Sequence, residues 1–445
     1  MSGHKLFNTL IGSSLRFALL FLTLTFFMFC ILAGMDAIEG FHEIFVSGII
    51  VFFFMTASRH LWLIWHGWRA KVEHMKQVGK ELIMTDYPSI TIIMPAYNEE
   101  AVIKPALTSL TKLNYPNYNI VVVNDGSTDK TSQMVKEVIA TNPAVKITLI
   151  EQSNGGKAAA LNNGIIHAEG ELFFCVDSDS RIHKNALLYG ASHFTDPELA
   201  AVAGAVEISK VDNLLLKFQQ LEYQFCLNFT RQAFSRKKIV TIIPGPSGMF
   251  RRQAMIEAGG YEIGREVFAE DAELTVRLLT KGWKVVGDER MVATTEAPRE
   301  IFPLLRQRYR WKRGLFQAFA KNILELINSR QKNFLFLFFN LLFDSFLFDV
   351  INFGIMLGFI VHFVSFGTIS MMYVWFFALL FLDILVAIMF ARPKQKRESV
   401  SLMLLQKVSY YLLLQAWGIL ALFDELIATE MSWDKLERTG ELGVE

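Results

Sequence analysis

"NIVVVNDGSTD", Asn119 to Asp129, is a valine-rich run that stops in a turn of small and acidic residues. Valine and isoleucine suit the pleated, half-buried surface of a sheet. Asn, Asp, Gly, Ser and Thr suit turns and helix N-caps. The arrangement recurs on both sides. "SITIIMPAY" (Ser89 to Tyr97) runs into a polar stretch and a helix-like segment from Glu99, and "VKITLIEQSNGGK" (Val145 to Lys157) and "ELFFCVDSDS" (Glu171 to Ser180) repeat the pattern. Strands alternating with helical patterns predict an α/β domain with a parallel sheet. In such an open sheet, ligands lie where the strands run out into their turns.

This texture holds from Pro88 to about Ala297, and long apolar runs flank it. Phe17 to Met35 carries no charge and is long enough to cross a bilayer as a helix. It has no cleavage signal after it and reads as a retained anchor. Ile44 to about His66 reads as a second span, interrupted by Arg59 and His60 and ending in the interfacial "LWLIWHGWRAK". The loop between them carries Asp36, Glu39 and Glu43 without Lys or Arg, whereas Arg69, Lys71, Lys76 and Lys80 follow the second span. The positive-inside rule therefore puts the α/β domain in the cytoplasm.

After the domain, Asn333 to Val364 is apolar but broken by Asp344 and Asp349, and reads as one tilted helix or as an interfacial helix plus a span. Ile369 to Ala391, with Asp383 inside it, and Val400 to Ile427 read as further spans, separated by the basic loop "RPKQKRE". Acids in such segments face a protein interior or a wet cavity. The divisions expected are a membrane region over 1–67, the soluble domain over 68–298, interfacial helices over 299–332, a membrane region of about three spans over 333–427 and a polar tail over 428–445.

Composition agrees. Apolar residues make up 52% of the 445, and only 20% are charged, below the usual soluble share of about a quarter. Net charge is +1, so no global basic field draws the chain to nucleic acid. The cysteines Cys30, Cys175 and Cys226 lie far apart, forming neither a metal-ligand spacing nor a disulfide framework, and read as small core hydrophobes.

The polar turns carry the chemistry. In "VDSDS", Asp177 and Asp179 can converge on one hard cation if the strand bends there; the plainer reading is a pair of turn acids. Asp125 ends its strand where it could accept from a nucleobase N–H. The Gly-Gly-Lys turn before "AAALNNG" favours an anion through backbone N–H groups and Lys157, and it lacks the Walker spacing. "FAEDAELTVRLL" sets Glu270 and Asp271 at the start of an amphipathic helix, either as acids suited to an N-terminus or as a general base. "IPGPSGMFRR" (Ile243 to Arg252) could wall such a site. In "QRYRWKRG", Gln307, Arg310 and Trp311 share one helical face, and Arg308, Lys312 and Arg313, on other faces, read as lipid headgroup contacts.

In this order, "PAYNEE", "NDGSTD", "GGKA", "DSD", "GPSGMFRR", "ED" and "QRYRW" resemble the membrane-embedded, processive, inverting glycosyltransferases of the GT-A fold. These include synthases of cellulose, chitin, hyaluronan and poly-N-acetylglucosamine. The resemblance covers nearly the whole chain. It implies a Rossmann-like GT-A domain inserted between transmembrane helices of the inner (plasma) membrane. It implies a UDP-sugar donor, a growing polysaccharide acceptor, Mg²⁺ or Mn²⁺ as cofactor, and room for an accessory small membrane subunit. By resemblance, Asp125, Lys157, Tyr97 and Glu99 attend the donor, and Asp177 and Asp179 are the D-x-D pair, with Asp179 the more direct metal ligand. Asp271, beside Glu270, is the catalytic base of a T-E-D motif whose threonine is Ala269 here. Gln307, Arg310 and Trp311 match Q-x-x-R-W, flanking the donor diphosphate and the acceptor end. The favoured product is an N-acetylglucosamine polymer, with a cellulose-, chitin- or hyaluronan-type polymer as the nearby alternative. Two other readings stand: single transfer to a lipid acceptor, and a membrane scaffold with a degenerate transferase domain.

Overall fold

The computed structural model describes residues 3–37, 40–77, 84, 86–264, 268–329, 333–367, 381–382, 384–385 and 396–430. Its contacts divide the chain into two compact units. Met1–Trp65, Leu305–Ile323 and Phe338–Asp434 belong to one, and His66–Leu304 with Leu324–Leu337 to the other.

The second unit is built on eight strands: β1 (Ile90–Ala96), β2 (Tyr118–Asp125), β3 (Ile147–Gln152), β4 (Leu172–Cys175), β5 (Ser180–Ile182), β6 (Leu199–Ile208), β7 (Gly248–Arg251) and β8 (Lys284–Thr295). They form one sheet in the order β3-β2-β1-β4-β7-β6-β8-β5. The expected parallel pairing holds for β3, β2, β1 and β4, and again for β6 with β8. It fails at β7, which runs antiparallel to both β4 and β6, and at β5, antiparallel to β8. The sheet is therefore mixed. Both reversed strands are short, and β7 follows the Pro-Gly-Pro loop directly.

Alternation assigns the two faces. Ile90, Ile92, Met94, Ile120 and Val122 pack in one core with Ile103, Leu107 and Val135 from the helices Ile103–Leu110 and Thr131–Thr141. Val121 and Val123 face the other way, onto Ala160 of the helix Lys157–His167. That helix lies close: a Cβ on Gly164 would stand 2.4 Å from Ile93 Cγ2. Pro95 is tolerated in β1 because β4 pairs only as far as Ile93. Burial of Phe173 and Phe174 on β4 contributes roughly 2 kcal/mol each.

The first unit is helical. Three helices are long and apolar enough to cross a membrane among the described residues: Arg16–Gly34, Glu43–Glu73 and Phe334–Phe366. The third is the long stretch over 333–364, and it is one continuous helix containing a π turn at Phe343–Leu347. A Cβ on Gly34 would stand 2.6 Å from Gly358 O, so small residues let these helices approach closely. Val400 to Ile427 is two helices, Lys396–Val408 and Tyr410–Leu426, broken at Ser409, rather than one span. The expected span over 369–391 with Asp383, the "RPKQKRE" loop and the tail after Glu430 lie largely or wholly outside the described residues. Asp344 and Asp349 are both ion-paired: Asp344 takes Arg59 Nη2 on both oxygens at 2.8 Å, and Asp349 pairs with Lys312. Cys30 and Cys175 are buried as expected.

Candidate active site

The carboxyl ends of β1 to β4 lie side by side, and their loops interlock. After β1, Asn98 N–H donates to Ser127 Oγ (2.9 Å), and Glu99 N–H donates to Thr131 Oγ1 (2.7 Å). Asn98 Oδ1 in turn accepts from Thr128 N–H (2.7 Å). Glu99 is thereby buried at the loop junction, while Tyr97 stays 39% exposed. After β2, Gly126 takes φ +73°, and a Cβ there would stand 2.8 Å from Asn154 N, so this turn requires glycine.

Asp125 is 3% exposed. Its Oδ1 accepts from Gln152 Nε2 (2.7 Å) and Gly155 N–H (2.8 Å), and its Oδ2 accepts from Gly156 N–H (2.8 Å). Its carboxylate thus folds the Gly-Gly-Lys turn. Gly156, at φ +86°, starts the helix whose first residue is Lys157.

Lys157 Nζ sits 2.7 Å from Asp177 Oδ1 and 3.1 Å from Glu270 Oε1. Burial alone would lower its proton affinity, but Asp177, Glu270 and Asp271 outweigh that and hold the ammonium well above the usual range. Asp271 is largely enclosed, with some solvent still reaching it. Burial first, then Glu270, pushes its carboxyl up to about 6, while Lys157 and the Ala272 N–H (2.8 Å) pull the other way. A carboxylate poised near neutrality in a cleft is a general-base candidate. Both acids open the helix Glu270–Thr280, where exposed N–H groups favour negative charge.

The chain turns at Asp177–Ser180, with Ser180 N–H donating to Asp177 O (3.0 Å), which is the bend the D-x-D pair requires. Asp177 is half-buried beside Lys157. Asp179 is buried, its Oδ1 accepting from Ser180 Oγ (3.0 Å) and Thr295 Oγ1 (3.3 Å). No cluster of three or more protein metal ligands gathers among the described residues. The donor set is still all-oxygen, and an ammonium already occupies its field, so the residues fit a hard divalent cation whose remaining ligands come from phosphates.

The Ile243–Arg252 loop walls the site as the sequence suggests, and a further participant, Arg231, is not evident from sequence. Gly245, in the Pro-Gly-Pro loop, closes over the ion pair: a Cβ there would stand 3.0 Å from Lys157 Nζ and 3.3 Å from Asp177 Oδ2. Arg231, just after the π turn Glu222–Asn228, lies in the field of Asp271 and donates to Asn228 Oδ1 (3.0 Å); burial draws its guanidinium down to about 10.

Gln307, Arg310 and Trp311 lie on the helix Ile301–Ile327, in the helical unit. The headgroup reading of their basic neighbours is corrected. Arg308 is 9% exposed, with its guanidinium 4.1 Å over the Trp311 ring and donating to Gln307 Oε1 (2.6 Å). Lys312 ends in a half-buried ion pair with Asp349, and Arg313 in a buried one with Glu425. Carboxylates on distant segments meet them, which the local sequence does not reveal.

Residues 91–259 match the family described as Glycosyl transferase family 2. The chain is 27% identical over 404 residues to the probable glycosyltransferase YdaM of Bacillus subtilis, covering 85% of this chain and 94% of that one. It is 25% identical over 252 residues to the poly-beta-1,6-N-acetyl-D-glucosamine synthase of Staphylococcus aureus, covering 56% of this chain and 60% of the synthase. In fold it is similar to the mannosyltransferase PcManGT of Pyrobaculum calidifontis, solved with GDP-Man and Mn²⁺, at a TM-score of 0.57 and 22% identity, over 86% of this chain and 99% of that one. The interlocked strand ends, the carboxylate cluster and these likenesses agree: the protein is a glycosyltransferase, with a glycosyl transferase family 2 domain matched over residues 91–259.

Proposed function

We propose that the protein is an inverting, processive β-glycosyltransferase that builds a polysaccharide from a UDP-sugar, with UDP-N-acetylglucosamine the favoured donor. The observation that carries this reading is the Asp271 carboxyl, raised toward neutrality beside Glu270, Lys157 and Asp177. Similarity to the staphylococcal synthase over about half of the chain supports the choice of sugar. The three apolar helices and the charge asymmetry of their loops support a multi-pass protein of the plasma membrane with its transferase unit in the cytoplasm. Export of the polymer through the helical unit belongs to the same proposal.

In this mechanism Asp271 accepts the proton of an acceptor hydroxyl as its oxygen attacks the anomeric carbon. The new C–O bond forms on the face opposite the departing diphosphate, so an α-linked donor gives a β-linked product. UDP leaves with the electron pair of the broken bond. Lys157 can follow the diphosphate, exchanging its carboxylate partners for phosphate oxygens, and Arg310 meets developing charge from the Q-x-x-R-W helix. Trp311 supports the acceptor ring. A divalent cation on Asp177 and Asp179 would neutralise charge on the leaving group. That PcManGT is solved with Mn²⁺ supports this choice of cofactor.

The test is the full-length protein, purified and supplied separately with radiolabelled UDP-N-acetylglucosamine, UDP-glucose and UDP-glucuronate, followed by product sizing and linkage analysis. A long β-linked N-acetylglucosamine chain is expected. A single sugar on a lipid extractable into organic solvent would replace the polymerase reading with lipid glycosylation. No UDP release from any donor would leave a transferase without the proposed activity.

A further inference from the structure

The helix Ile301–Ile327 is held from behind. At roughly 100° per residue, Gln307, Arg310 and Trp311 share one face, while Lys312, Phe316 and Arg313 share a face centred roughly 180° away. Phe316 is 1% exposed and packs on Phe346, with ring centroids 6.0 Å apart. The two cations straddle it and reach different elements. Lys312 pairs with Asp349 and donates to Asp344 O (2.9 Å), at the π turn of the Phe334–Phe366 helix. Arg313 Nε meets Glu425 Oε2 (2.9 Å) on the helix Tyr410–Leu426, and its Nη2 donates to Thr429 O (2.7 Å). Glu425 is 1% exposed and also accepts from Gln317 Nε2 (2.9 Å) and Arg16 Nη2 (2.9 Å).

Buried ion pairs are poor stabilisers, since well-packed apolar residues of similar volume usually hold a fold as well or better. What these two add to the Phe316 contact is angular definition. One contact lets a helix roll, and a charged clamp on each side does not. We propose that Lys312 and Arg313 are positioning residues, whose ion pairs fix the roll of this helix and so place Arg310 and Trp311 for transfer. The inference rests on the reading that Arg310 and Trp311 serve donor and acceptor. A roll of about 20° at a side-chain radius of about 6 Å moves a tip by about 2 Å, and displacements of about 1 Å can cost about a hundredfold in rate.

The test uses the full-length protein in detergent and the UDP-sugar that the wild type turns over fastest. Turnover, UDP affinity and unfolding temperature are measured for Lys312→Met/Asp349→Leu, for the charge swap Lys312→Glu/Asp349→Lys, and for Glu425→Gln. The apolar pair is expected to unfold near the wild-type temperature and bind UDP normally, yet lose turnover at least tenfold. The swap is expected to recover at least a third of the wild-type rate. Glu425→Gln is expected to lose turnover at least tenfold with UDP affinity kept. An apolar pair within twofold of wild-type turnover overturns the proposal. So does a swap that restores the unfolding temperature without turnover, which decides the matter if the apolar pair fails to fold. Arg310→Ala is run alongside. If it keeps normal turnover, the reading of the motif itself fails; if it is inactive while the apolar pair is active, only the anchoring fails.

Discussion

Asp271→Asn separates catalysis from stability in one substitution. The Asp271 carboxyl is pushed up to about 6, from an ordinary 3.8, by burial and then by Glu270. At about 1.4 kcal/mol per unit, keeping it ionised costs the folded protein about 3 kcal/mol, and the solvent that still reaches the group trims this toward 2. The sign follows from the direction of the shift. A carboxyl raised in the fold leaves stability intact below pH 3.8 and removes it progressively as pH rises through about 6. Asparagine has nearly the same shape and no charge to hold. The variant should therefore unfold at the wild-type temperature near pH 4, and about 5–10 °C higher at pH 8, for a domain of this size. Turnover should fall by about 10²–10⁴, the usual worth of a positioned base, with UDP affinity little changed. Differential scanning fluorimetry across pH, with UDP-release kinetics, makes both measurements. Near-normal turnover would sink the base assignment. An unfolding temperature that rises equally at pH 4 and pH 8 would sink the electrostatic account.

The neighbours of Asp271 should move the acid limb of the pH–rate profile in opposite directions. Glu270→Gln should shift it below pH 6 and Lys157→Met above it, because the first removes a cause that raises Asp271 and the second one that lowers it; two shifts of the same sign would refute the cluster. Gly126→Ala, forced to a positive φ with its Cβ against Asn154 N, should cost about 1–3 kcal/mol and raise the donor KM, measured by thermal unfolding and initial rates. Chelation by EDTA should abolish transfer without lowering the unfolding temperature, since the fold gathers no full protein ligand set among the described residues. Mn²⁺ or Mg²⁺ should restore it.

The strand-turn rhythm around "NIVVVNDGSTD" identifies the α/β domain because period-2 burial and turn chemistry are local properties. Asp125, Lys157, Asp177, Asp179, Glu270 and Asp271 are legible for the same reason, each standing where a strand or helix ends. The reversed direction of β7 is not legible, because Gly248–Arg251 looks alike in either sense and only its neighbours, β4 and β6, set its direction. The same limit hides which residue of the Ile243–Arg252 loop closes on the site, since Gly245 approaches Lys157 and Asp177, far away in sequence. Lys312 and Arg313 show it most clearly. Beside tryptophan, next to apolar runs, they look like residues for a headgroup, and only the return of Asp349 and Glu425 gives them protein partners. The break at Ser409 likewise divides a stretch that hydropathy alone treats as continuous.

The hydrogen bonds of Asp125 also constrain how the chain can vary. Its carboxylate takes both glycine N–H groups of the next loop, and Gly156 adopts a backbone conformation that other residues resist. Losing the acid removes the acceptor shared by both glycine N–H groups, and filling the glycine strands the acid. Neither can drift alone. In a lineage that changed its nucleobase preference, Asp125, Gly155 and Gly156 should therefore be replaced together or kept together. A chimaera exchanging only one of the two loops with a distant relative should fold poorly even if each parent folds well.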